Sequence, residues 1–115
     1  MDLSSAINAH VNWKLRLSRY LAGEGEALDP RIVGRDDQCE LGKWIHGEGR
    51  SHAKRPEFAA LRTEHATFHR RASEVVQAGM RGETLGAQDL LAGPYSEASR
   101  VVVLTIGRLK EALKS

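Results

Sequence analysis

The sequence predicts an all-α fold, a four-helix bundle with a short second helix and a long loop before it. Three observations carry this. Apolar residues recur at steps of three and four over long stretches, the period of one helix face. Aromatic residues make up only 5% of the chain, and the longest β-branched run is Val101 to Val103, so little favours strands. Glycine and proline gather in the gaps between the periodic stretches. With 115 residues, 41% of them hydrophobic and 28% charged, the chain has the size and balance of one globular domain spanning 1–115.

In the first stretch Leu3, Ile7, Leu17 and Leu21 share a face, which predicts a helix over about 3–22 with Ser4 or Ser5 as its cap and Gly23 as its stop. His10 falls on that stripe between Ile7 and Leu17, flanked by Trp13 and Tyr20, and so points inward. Residues 23–36, with three glycines, one proline and four acids, read as a long irregular connection. Asp37 can then cap a short second helix over about 38–46 that Gly47 ends, placing Cys39 in its first turn, where backbone amides favour a thiolate. Pro56 opens a third helix over about 56–79. Its stripe Phe58, Leu61, His65, Phe68, Ala72 and Val75 is the most regular in the chain. After a break from Gly79 to Gly86, a last helix carries Tyr95, Ala98, Val102, Thr105, Leu109 and Ala112, with Pro94 starting or kinking it. Its surplus of apolar positions points to deep burial or to a partner surface.

Several function classes fall away. The net charge is +2, from 17 basic and 15 acidic residues spread along the chain, and pairs such as Arg70-Arg71 read as solvated surface, so no nucleic-acid footprint is expected. No run of 18 apolar residues and no charged-then-apolar leader is present, so the expectation is a cytoplasmic protein with no membrane span. The single cysteine cannot form an internal disulfide, and its chemistry is metal binding or redox reactivity.

His65-Ala66-Thr67-Phe68-His69 places two imidazoles one helical turn apart, where both can reach one point. Ala66 stands where zinc proteases of the HExxH type carry their glutamate, which argues against protease chemistry. On its own such a pair is more often core or surface histidines than ligands, and His10 and Cys39 taken singly read more readily as a buried histidine bonded to a carbonyl and an inert thiol. Together, one thiolate and three imidazoles from three helical segments suit a tetrahedral zinc ion, which a bundle can hold at its centre. His46 and His52 lie in turns off the stripes and read as exposed.

The blocks His10-Val11-Asn12-Trp13-Lys14, Cys39-Glu40-Leu41-Gly42-Lys43-Trp44 and His65-Ala66-Thr67-Phe68-His69, in this order and spacing, resemble the chemoreceptor zinc-binding domain family, a bacterial sensory module. The likeness extends from Ile7 to about Leu109. It implies zinc as cofactor, His10, Cys39, His65 and His69 as its ligands, no catalytic residues, and a four-helix fold that is frequently a homodimer. Members of the family are usually joined to chemotaxis receptors or diguanylate cyclases, where zinc occupancy or oxidation of the bound cysteine by hypochlorous acid alters signalling. The sequence carries no receptor signalling helices and no cyclase domain, so the expectation is either that it reaches a chemotaxis or cyclic-di-GMP signalling protein as a partner chain or that it is one domain of something longer. The residues also leave room for an interaction bundle with a purely structural zinc. A zinc hydrolase is disfavoured because no general base accompanies the ligands, Glu64 being expected to point away from them.

Overall fold

The structure, a computed structural model, describes residues 1–114 and holds helices and turns, with no strand among the described residues. Helix α1 is Leu3–Leu21, α2 Pro30–Val33, α3 Glu40–His46, α4 Pro56–Met80, α5 Thr84–Leu90 and α6 Ser96–Lys114. The long members α1, α4 and α6 pack against one another, α3 packs on α1, and α2 lies on α4. The all-α bundle is as expected, and the differences lie at element ends and in the additional short helix α2.

Asp2, rather than Ser4 or Ser5, caps α1. Its carboxylate accepts from the Ser4 and Ser5 amides at 2.9 and 3.3 Å, so the serines donate to the cap. Burial follows the stripe, with Leu3, Ala6, His10 and Leu17 inside.

The connection after α1 is not irregular throughout. Asp29 accepts from the Arg31 amide at 2.9 Å, and Pro30 sits at the first helical position, where its missing N–H costs nothing, so Asp29-Pro30 nucleates α2. Ser73 on α4 donates to the Pro30 carbonyl at 2.8 Å and Val33 enters the core, fixing this turn to the bundle.

Helix α3 begins at Glu40, later than expected, because Cys39 itself is its cap, the sulfur accepting from the Gly42 amide at 3.3 Å. Asp37, expected to cap it, pairs with Arg35 instead. A 3₁₀ turn at Glu48–His52 follows, and His52 is half-buried with its ring 5.8 Å from that of Trp44, rather than exposed.

The last helical rod starts at Thr84, ten residues before Pro94. Between α5 and α6 the chain widens into a π turn, Leu91–Tyr95, that contains Pro94. Proline has no amide to donate, and the wider turn accommodates it without ending the helix. Ser96 donates its hydroxyl to the Leu91 carbonyl at 2.7 Å, a bond that spans the wide turn. Leu17, Leu61, Phe68, Val75, Tyr95, Val102, Ile106 and Leu109 are fully buried and form the centre of one core.

Candidate metal centre

The four residues singled out by sequence meet at one point. His10 comes from the middle of α1, His65 and His69 from successive turns of α4, and Cys39 from the cap of α3. Their donor atoms all lie within 4.8 Å of one another, and no other such group of histidines, cysteines and acids occurs among the described residues. His65 Nε2 lies 3.1 Å from His10 Nε2, 3.1 Å from His69 Nε2 and 3.3 Å from Cys39 Sγ, while Cys39 Sγ lies 3.6 Å from His69 Nε2.

The hydrogen bonds decide where the lone pairs point. His10 Nδ1 donates to the Ala6 carbonyl at 2.7 Å and His69 Nδ1 to the Val33 carbonyl at 2.9 Å. A carbonyl can only accept, so in these rings the proton is on Nδ1 and Nε2 turns a bare lone pair inward. His65 Nε2 faces both lone pairs and carries at most one proton, so it can bond to one of them only. A single cation at the centre would serve all four donors at once. Tetrahedral zinc, with bonds of about 2.0–2.1 Å to nitrogen and about 2.3 Å to sulfur, sets nitrogens about 3.4 Å apart and sulfur about 3.6 Å from nitrogen. The four separations of 3.1–3.6 Å lie within a few tenths of an ångström of this, the widest pair, up to 4.8 Å apart, would have to close by about 1.2 Å, and the donor set fits zinc.

Burial prepares the same state. His10 and His69 are 2% exposed and His65 is 0% exposed. Loss of hydration pushes all three imidazoles below their ordinary value, His10 to about 4, so they stand neutral and able to ligate at physiological pH. Phe68 packs edge-on to His10 and His69, with ring centroids at 4.9 and 5.2 Å, closing the apolar side of the site. The thiol departs from expectation. Desolvation outweighs the amide bond from Gly42 and pushes Cys39 up, so the helix terminus alone does not make a thiolate, and a metal ion would supply that stabilisation.

Three supporting groups escaped the sequence reading. Gly42 is required because a Cβ there would lie 1.7 Å from the Asp36 carbonyl oxygen, so only glycine lets the chain before Cys39 press against α3. The carbonyls of Ala6 and Val33 hold two rings in one tautomer, and backbone atoms leave no residue-type signal. Glu64 stays out of the cluster, as expected, although one of its carboxylate oxygens is buried without a partner.

The family profile of the chemoreceptor zinc-binding domain matches residues 10–76, more than half of the chain and all four clustered residues. The chain belongs to the chemoreceptor zinc-binding family. A comparison with curated proteins and one with solved structures return no match. In this zinc-binding domain the family match covers α1 from His10 onward through most of α4, so it holds every element that feeds the centre, while α5 and α6 beyond it supply packing. No helix is long and apolar enough to cross a membrane among the described residues.

Proposed function

We propose that this chain is a cytoplasmic regulatory domain that senses zinc level or oxidant through one zinc ion held by His10, Cys39, His65 and His69. The observation that carries the reading is the convergence of two inward lone pairs, a third imidazole nitrogen and one sulfur on a single point. Four protein ligands complete a tetrahedron and leave no open position for substrate water, which supports regulation rather than catalysis.

Sensing rather than a purely structural ion is favoured by the asymmetry of the ligands. The three histidines are buried on long helices, whereas Cys39 is half-buried at the cap of a seven-residue helix. Zinc-bound sulfur is deprotonated and nucleophilic, so hypochlorous acid would transfer oxygen to it, giving the sulfenic acid and releasing chloride. The weakened ligand would free α3 and the chain before it. The part able to move excludes α2, which is fastened to α4, and comprises the stretch before Asp29 and the stretch from Arg35 to Cys39.

The output would pass to a chemotaxis or cyclic-di-GMP signalling partner, with the domain acting as a homodimer. Val11 and Leu15 on α1 and Leu104 on α6, each about half exposed, are the apolar positions that a second copy would cover.

Elemental mass spectrometry of the purified protein tests the centre. One zinc per chain is expected, with affinity falling at least about 100-fold in Cys39→Ser and in His69→Ala, beyond what loss of a supporting hydrogen bond causes. A metal-free parent of unchanged fold would reduce the four residues to core packing.

A further inference from the structure

A cleft of about 780 Å³ opens beside the centre, between α1 and the segment from Glu26 to Val33. Ala6, Ala9, Trp13, Leu28 and Val33 make its walls largely apolar, and Cys39 reaches it together with His10 and His69. Of the four clustered residues only Cys39 is more than marginally exposed, so it is the one that a molecule entering the cleft reaches most readily. Two charged residues join the opposite walls. Arg16 Nε of α1 donates to Glu26 Oε1 of the loop at 2.7 Å, and the same guanidinium lies 3.8 Å above the Trp13 ring.

We propose that this cleft is the route by which small uncharged electrophiles reach Cys39 Sγ, that it holds back anions, and that the Arg16–Glu26 pair is its latch. An anion would have to shed water against apolar walls on the way in, before the single net positive charge of a zinc held by one thiolate could compensate it, which is costly. Arg16, the one lysine or arginine on the lining, is already engaged by Glu26, and the remaining charged side chains there, Asp29 and Glu40, are acidic and oppose the α-ammonium of Met1. The latch is exposed, with side chains 42% and 56% accessible, so it biases opening rather than forbidding it. This inference rests on the reading of Cys39 as a reactive zinc ligand.

The test uses two alkylating probes of similar size, neutral iodoacetamide and anionic iodoacetate. Each forms a bond from sulfur to carbon as iodide leaves, and because Cys39 is the sole cysteine the product is read directly by intact mass. The ratio of the two rates is measured on the zinc-loaded folded protein and on the urea-unfolded chain. A ratio at least tenfold larger in the folded protein is expected. Ala9→Phe, which fills the cleft from an exposed position of α1, should slow iodoacetamide at least tenfold with zinc content and circular dichroism unchanged. Glu26→Gln should speed iodoacetamide about twofold to fivefold, the scale of an exposed ion pair, and iodoacetate by more, because it also frees Arg16 to meet the anion. Equal ratios in folded and unfolded protein would overturn the proposal whatever the variants do, as would a folded protein inert to both probes. Repeating the measurement after chelation separates the two readings: an unchanged rate on zinc removal would count against Cys39 as a ligand, while the charge selectivity is read independently.

Discussion

Three imidazoles kept neutral by burial have a cost that falls due in acid. In the unfolded chain a histidine takes up a proton near 6.5, whereas in the metal-free folded protein His10 does so only at about 4. Between these values the unfolded state binds more protons, so stability is fully present above about pH 6.5 and is lost as pH falls toward 4. His65 and His69 shift in the same direction and add to the loss. For His10 alone the loss at pH 4 is on the order of 3 kcal/mol, at about 1.4 kcal/mol per pH unit. Urea unfolding of the metal-free protein at pH 7.5 and pH 4.5 measures it. Stability should be lower at the acid value, and His10→Phe, which cannot titrate, should flatten the dependence. A parent equally stable at both values would mean that the rings are not buried as described.

At the scale of elements, the centre depends on how α3 is seated. The Asp36 carbonyl lies where a side chain at position 42 would begin, so Gly42→Ala must push the Arg35 to Cys39 segment off α3. The expected cost is about 1–3 kcal/mol, as for other overpacked sites, together with weaker zinc binding, because Cys39 loses both its position and its amide donor. Thermal melts and competition with a chromophoric chelator report the two effects, and an unchanged zinc affinity would show that Cys39 can be placed without this contact. Much of this level was legible in the sequence. The stripe through Phe58, Leu61 and His65 fixed α4 and aligned His65 with His69, because a four-residue step on a long helix admits one geometry. Helix α2 was also legible in principle, since Asp followed by Pro is a capping signal. It was overlooked because four residues are too few for apolar periodicity to show. The cap of α3 was misplaced because cysteine is an uncommon cap, and the choice of Cys39 over Asp37 depends on histidines that approach from distant parts of the chain. Carbonyl partners such as Val33 left no trace, since every residue has one.

At the scale of the molecule, three long helices make the frame and the short elements hang the site on it. The partner surface proposed for a second copy belongs here. Sedimentation of the parent should give a dimer, and Leu15→Glu combined with Leu104→Glu should give a monomer that still holds one zinc. A monomeric parent would remove that interface. The π turn at Leu91–Tyr95 is the feature whose consequence reaches furthest. From Ala87 to Tyr95, both fully buried, is eight residues. At about 100° per residue a regular helix would leave the second about 80° away from the first, while seven residues would leave it only about 20° away. The wide turn thus swallows one surplus residue, and Pro94 is the member of that turn least suited to a regular helix. Shortening the chain there, an edit that would throw most helices out of phase, should instead bring Ala87 and Tyr95 into ordinary register. A protein lacking Pro94 is therefore expected to keep its zinc and to melt no lower than the parent. Removal of Gln88, which leaves Pro94 within the helix, should lower the melting temperature.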